Sequence, residues 1–297
     1  MNIEEVAESI YRLVVQQPEA RYVFAVYLID EGGGVVIEPG PASMASPIQE
    51  GMKRLGMKGL SYIIPTHIHL DHGGGSGKLA ELFPQAKVVL HPRSVKHILN
   101  PSRLIEGTKM VYGDDFESIY GPILPVPESQ IVVPEDGEVL DVGGRELQIF
   151  YAPGHAHHQI VIYDKETGGL FCGEALGVPI PGIEGFALPG VSVQDFNPDQ
   201  YLETIEKIKR LAPRMLYYSH DGGVRKPAQL IDSLAHNAQL LRDVTFEGLK
   251  NGDAVEAIEK RAGELLPGLL SRNRGAMSSL EETILGFATY YRRKGLI

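Results

Sequence analysis

Residues Thr66 to Gly75 read T-H-I-H-L-D-H-G-G-G, placing four side chains of ligand type, His67, His69, Asp71 and His72, within six positions. If the chain is extended there, His67 and His69 share one face, and Asp71 and His72 follow where the glycines let it turn. Three imidazoles and a carboxylate in so short a run suit a borderline divalent cation rather than solvated surface polarity. Such a cluster needs a rigid support. The apolar, β-branched run Leu60–Pro65 before it reads as a buried strand, and Ser76–Phe83 after it as a helix.

H-x-H-x-D-H after a strand resembles the metal signature of the metallo-β-lactamase superfamily. Three downstream segments resemble the rest of its pattern, in the family's order. Pro153-Gly154-His155 resembles the third-histidine motif, Phe171-Cys172-Gly173-Glu174 the strand-end carboxylate motif, and Ser219-His220 the last histidine. The resemblance covers roughly residues 20 to 225. It implies an α+β fold, the αββα sandwich, with a helical C-terminal extension. The domain reading is a catalytic domain over residues 1–225 with a helical segment, 226–297, packed on it. It also implies that His67, His69 and His155 hold one metal ion, Asp71, His72 and His220 a second, and that Glu174 touches both.

Two dications bring four positive charges, and Asp71 and Glu174 offset two of them. The remainder favours hydroxide and a polarised substrate oxygen, since metal binding lowers the pKa of water from near 16 to about 7. Asp71 is the candidate catalytic residue, orienting the hydroxide and passing a proton to the leaving group. Nitrogen and oxygen ligands are compatible with zinc, manganese or iron, and zinc is the family's habit. This chain departs from the family at two places. Glu174 stands where an aspartate is usual. Glu38, in Glu38-Pro39-Gly40, stands where an aspartate usually supports the metal loop; it also reads as an exposed strand-end acid.

The other candidates are weaker. His91 and His97 lack a partner at ligand spacing and read as surface or structural residues. His157 and His158 follow His155 and read as supporting or surface residues, with a substrate contact as the alternative. Cys172, the single cysteine, reads as a small buried apolar residue, so no disulfide or thiolate cluster is expected.

Around these segments the spacing of Val6, Ile10, Leu13 and Val14 predicts a helix over 4–17, stopped by Pro18. Tyr22–Ile29 and Val35–Ile37 read as a hairpin, Pro47–Leu55 as a helix, and Lys87–Leu90 as a strand. Asn100–Gln130, rich in Pro, Gly and Tyr, reads as a long connection of the kind that often binds ligands. Ile131–Val133, Val139–Val142 and Glu146–Tyr151 read as successive antiparallel strands, and Ile160–Tyr163 and Leu170–Cys172 as the next hairpin. The Gly- and Pro-rich segment Ala175–Asn197 could wall a pocket or fill the core. Asn197 is a candidate cap for a helix from Pro198, Met215–Ser219 reads as a strand, and Ala228–Leu249, Ala254–Leu265 and Met277–Arg292 have helical patterns.

With 297 residues and 43% hydrophobic content, the chain can bury a substantial core. A formal charge of −10 argues against a nucleic-acid partner, which would need clustered Lys and Arg. The acidic N-terminus lacks a signal pattern and no apolar run spans a bilayer, so a soluble cytoplasmic protein without membrane partners is expected. The basic clusters at 272–274 and 292–294 read as solvated charge. The leading expectation is a hydrolase acting on an ester, thioester, lactone or amide bond of a small molecule. The alternative is an iron-dependent oxidoreductase of the same fold, like sulfur dioxygenases or flavodiiron proteins. Apolar residues such as Leu230, Leu234 and Leu241 permit the C-terminal helices to cap a pocket or form a homodimer.

Overall fold

The structure, a computed structural model, describes residues 1–16, 23–180, 183–220, 224–225, 227–266 and 274–297. Pro18, Tyr22, Arg272 and Asn273 lie outside the described residues. In chain order the elements are β1 (Asn2–Ala7), β2 (Ile10–Gln16), β3 (Val23–Ile29), β4 (Val35–Ile37), α1 (Ala45–Leu55), β5 (Tyr62–Ile64), α2 (Leu70–Gly73), α3 (Ser76–Leu82) and β6 (Lys87–Val89). There follow α4 (Val95–Leu99), α5 (Ser102–Tyr112), α6 (Phe116–Tyr120), β7 (Ile131–Val132), β8 (Val139–Val142), β9 (Arg145–Tyr151), β10 (Ile160–Asp164) and β11 (Gly169–Phe171). The remainder is β12 (Val178–Pro179), β13 (Ala187–Leu188), α7 (Pro198–Leu211), β14 (Met215–Tyr217), β15 (Val224–Arg225), α8 (Pro227–Lys250), α9 (Val255–Leu265) and α10 (Arg274–Arg293).

The chain divides into two compact units. One comprises Met1–Tyr151, His158–Gly173 and Arg214–Arg225; the other comprises Ala152–His157, Glu174–Pro213 and Lys226–Ile297.

The first unit contains both large sheets. One runs β1 to β7 in sequence order, antiparallel as far as β4 and parallel from β4 to β7. The other has the order β15-β14-β11-β10-β9-β8. Strand alternation builds two apolar layers. On β3, Ala25, Tyr27 and Ile29 face the second sheet and meet Ile149, Ile162, Phe171 and Tyr217. Phe24, Val26 and Leu28 face the other way, onto Ile48 and Met52 of α1, Leu79 of α3 and Ile119 of α6. Each such aliphatic side chain contributes about 1.5–3 kcal/mol by leaving water.

Buried charge also ties the sheets together. Arg145 on β9, 2% exposed, donates to both oxygens of Asp164 on β10 at 3.1 and 2.8 Å. It also donates to Glu31, in the β3–β4 turn, at 2.8 Å.

Three expectations are corrected. Residues 4–16 form the β1–β2 hairpin, not a helix, turning at Ser9 with φ +56°. The apparent helical stripe arises because β2 is covered on both faces: Ile10 belongs to the inter-sheet layer and Leu13 to the helix-facing layer. Within 100–130 the chain forms α5 and α6, punctuated by Gly113 and Gly121 at φ +55° and +66°. Short helices between such breaks leave too little periodicity to read. Finally, β7 pairs in parallel with β6 rather than joining β8. Pro134 ends that strand, and the chain then passes to the other sheet.

Among the described residues, the second unit holds the β12–β13 ribbon and four helices. Asn197 caps α7, its Oδ1 accepting from the backbone N–H groups of Asp199 and Gln200, each at 3.2 Å. The expected C-terminal helices are present as α8, α9 and α10, with α8 packed against α7, α9 and α10.

Candidate metal centre

The metal loop leaves β5 and is folded against the turn after β4. The N–H of Glu38 donates to the Ile64 carbonyl at 3.1 Å, Gly40 to His72 at 2.9 Å, and Gly75 to Gly40 at 2.7 Å. His72 and Gly73 both donate to the His69 carbonyl, at 3.0 and 2.8 Å, opening α2. The turn is too tight for a side chain at Gly73, where a Cβ would lie 2.9 Å from the His67 carbonyl oxygen.

This folding gathers Asp71, His72 and His220 of the first unit. His220 follows β14 and is held by a bridge to Phe24 on β3. Its Nε2 lies 3.1 Å from Nε2 of His72 and 3.5 Å from Oδ2 of Asp71, which is 3.7 Å from His72 Nε2. Donor atoms sharing one ion through bonds of about 2.1 Å stand roughly 3–3.5 Å apart. Two of the three spacings lie in that range and the third slightly beyond it, and the three ligand atoms, all within 4.8 Å of one another, form a group that could hold one cation. Nearby, Nε2 of His67 lies 2.9 Å from Nδ1 of His69, and Thr66 Oγ1 lies 3.1 Å from His67 Nδ1.

Glu38 is buried, 2% exposed, not a solvated acid. Its Oε2 accepts from His72 Nδ1 at 2.6 Å, and its Oε1 from the Thr66 N–H at 3.3 Å. With Nδ1 as the donor, the Nε2 lone pair of His72 is directed at Asp71 and His220. Glu38 adopts φ +59°, an uncommon backbone state for a residue with a side chain, at the point where the chain turns behind the loop.

In the second unit, His155 Nε2 lies 3.0 Å from Oε2 of Glu174. Nδ1 of His155 donates to the Gly190 carbonyl at 3.1 Å, since a carbonyl can only accept. In a neutral ring Nε2 is then a bare lone pair facing a carboxylate. Two acceptors at that distance call for a cation or a proton between them. Gly154 allows the close approach that sets His155 in place: with φ +142°, a Cβ there would sit 2.4 Å from the Tyr201 Cα.

The surroundings of the remaining candidates are as follows. His91 is 7% exposed, accepts from the Arg93 N–H at 3.1 Å and packs on Tyr151, a structural role. His97 is half-buried on α4. His157 stands 3.6 Å from Asp195. His158 is buried, with its ring centroid 6.1 Å from that of His67 and 5.7 Å from that of His69. Cys172 is fully buried, and burial first, then the Glu38 charge, push its thiol well above the ordinary value. That suits the inert reading. Sequence reasoning gave no role to Thr66 or Gly190. Thr66 could have been found as the hydroxyl next to His67, whereas Gly190 acts through its carbonyl and leaves no side-chain signal.

A two-sheet sandwich with His, Asp and Glu gathered at strand ends defines a metal-binding sandwich fold. The metallo-beta-lactamase superfamily pattern matches residues 19–220, more than half of the chain, and the chain belongs to that superfamily. It is similar to the metallo-beta-lactamase fold-containing protein ST1585 of Sulfurisphaera tokodaii, 28% identical over 55% of this chain and 61% of that one. It is also similar to a hydroxyacylglutathione hydrolase of a Synechococcus species, 26% identical over 67% of this chain and 63% of the relative. The chain thus spans about three-fifths of the length of these curated relatives. Among solved structures, the metallo-beta-lactamase family protein TTHA1429 of Thermus thermophilus superposes with a TM-score of 0.71. It is 20% identical, and the match covers 98% of this chain and 95% of the other. That likeness shows the αββα fold. Among the described residues, no helix is long and apolar enough to cross a membrane.

Proposed function

We propose that the protein is a metal-dependent hydrolase of a small molecule carrying an ester, thioester, lactone or amide bond. The observation that carries this reading is the convergence of Asp71, His72 and His220 into a group that could hold one cation, with Glu38 fixing the His72 tautomer. Asp71, His72 and His220 hold one ion in this reading. By the superfamily resemblance, His67, His69 and His155 would hold another, with Glu174 as a further candidate ligand. Zinc is favoured by the superfamily's habit, and the nitrogen and oxygen donors are equally compatible with iron and manganese.

A divalent ion bound there supplies Lewis acidity and water with a pKa of about 7. The chain's own residues do the rest. Asp71, the partly exposed carboxylate of the cluster, orients the attacking water, takes its proton and returns it to the leaving group. The hydroxyacylglutathione hydrolases among its relatives favour a thioester within this set of bonds. The net charge of −10 is consistent with a small substrate rather than a nucleic acid.

The test is elemental analysis of the purified protein together with hydrolysis of a thioester, ester, lactone and amide panel, before and after chelation. Metal-dependent cleavage of one bond class supports the reading. An iron-loaded protein that consumes oxygen and hydrolyses nothing would replace it with the oxidoreductase alternative.

A further inference from the structure

We propose that α10, at the far end of the sequence, is the positioning element for His155, and so sets how tightly that residue can hold a metal ion. The idea rests on the reading of His155 as a ligand. It starts from the Gly190 carbonyl, which fixes the His155 ring through Nδ1 at 3.1 Å. Gly190 is itself confined: its N–H donates to the Tyr201 hydroxyl at 3.1 Å, and a Cβ on it would lie 2.9 Å from the Glu174 carbonyl oxygen. A shift of this residue therefore moves the partner of His155 and crowds Glu174.

Gly190 belongs to an irregular segment with no ladder of its own, so something else must hold it. Thr283, Gly286, Phe287, Tyr290 and Arg293 recur at helical spacing along one stripe of α10, and each meets that segment or the start of α7. Thr283 Oγ1 donates to the Ser279 carbonyl of its own helix at 2.6 Å and lies 3.4 Å from the Pro189 carbonyl oxygen. Gly286 receives Val191: a Cβ at 286 would lie 2.0 Å from Val191 Cγ1. Phe287 packs edge-to-face on Phe196 at 5.1 Å. Tyr290 donates to Asp199 at 3.0 Å. Arg293, in a cluster that reads as solvated charge, donates to the carbonyls of Gln194 and Phe196, the latter at 3.2 Å. The residue after Gly190 is thus seated in a notch that only glycine can make, and the far end of the segment is closed by a guanidinium fork. Position is transmitted from α10 through Val191 to Gly190 and on to His155.

The experiment uses the full chain with Gly286→Ala. Alanine is the better helix former, so the helix itself is not weakened. Zinc affinity should fall on the order of 10–100-fold, as when other partners of metal-bound histidines are lost. In the metal-free protein, nitrogen NMR of the imidazoles should show His155 leaving the Nδ1–H form. Adding Val191→Ala in the same chain removes the clashing methyl and should restore both readouts. Arg293→Gln, a change at an exposed position, should move them in the same direction by less. Unchanged ring and affinity in Gly286→Ala, or losses that Val191→Ala does not rescue, would overturn the proposal. A shifted ring with unchanged zinc affinity keeps the positioning role and removes His155 from the ligand set.

Discussion

Glu38 Oε2 lies 2.6 Å from His72 Nδ1, and both groups are buried. A carboxylate in that place orients the ring and strengthens Nε2 as a donor to a cation. Glu38→Gln keeps the shape and removes the charge. Zinc affinity is expected to fall on the order of 10–100-fold with the fold intact. Titration calorimetry of the metal-free protein measures it, and an affinity equal to wild type would show that Glu38 is merely a buried turn residue.

Gly173 and Thr66 form a second tight relationship. Gly173 has φ +50°, and a Cβ there would lie 2.3 Å from Thr66 Oγ1, the hydroxyl beside His67. Gly173→Ala is expected to cost roughly 1–3 kcal/mol through backbone strain alone, and to displace Thr66 as well. Denaturant unfolding reads the stability. A loss below a few tenths of a kcal/mol would mean the two strand ends are not held this closely.

The legibility of the sequence follows from how local each signal is. His67, His69, Asp71 and His72 were readable because their donors lie in one short run. His155, Glu174 and His220 carry no comparable local run and enter the candidate set only through resemblance to the superfamily pattern. The β1–β2 hairpin was misread because a strand covered on both faces mimics the stripe of a helix, as Ile10 and Leu13 show. The buried state of Glu38 depends on the parallel pairing of β4 with β5, which no neighbouring residue announces. The helices α8 to α10 were visible in their apolar periodicity, but the seating of Val191 on Gly286 was not.

Arg145 and Asp164 are both buried, and losing one leaves the other charge without its partner. Arg145→Met is expected to destabilise the fold by about 3–5 kcal/mol. The double change Arg145→Met with Asp164→Leu should recover much of that loss. Thermal and denaturant unfolding check it. A single variant as stable as wild type would mean the pair is dispensable to the packing of β9 on β10.

Tyr27 and Tyr217 have phenols raised above the ordinary value, chiefly by burial, and Tyr27 donates to the Tyr218 carbonyl at 2.7 Å. Their contribution is complete below the unfolded tyrosine pKa of about 10. It is lost as the pH climbs above that value, because the unfolded chain sheds protons that the folded chain keeps. Stability should be insensitive to these groups below about pH 9 and fall above about pH 10. Their phenolate absorbance should emerge together with unfolding. Phenolate formation in a protein whose circular dichroism remains native would show the two rings to be open to water.

The most direct measurement counts metal ions and turnover in the same preparation. The wild-type chain should carry two equivalents of a divalent metal, lose hydrolysis of its preferred substrate on chelation, and regain it when zinc is returned. His72→Ala and His220→Ala should each lower the metal count and depress hydrolysis by at least about 100-fold. A chelated wild-type protein that still hydrolyses its substrate at full rate, or a His72→Ala chain with undiminished metal, contradicts a metal-dependent hydrolase built on these residues.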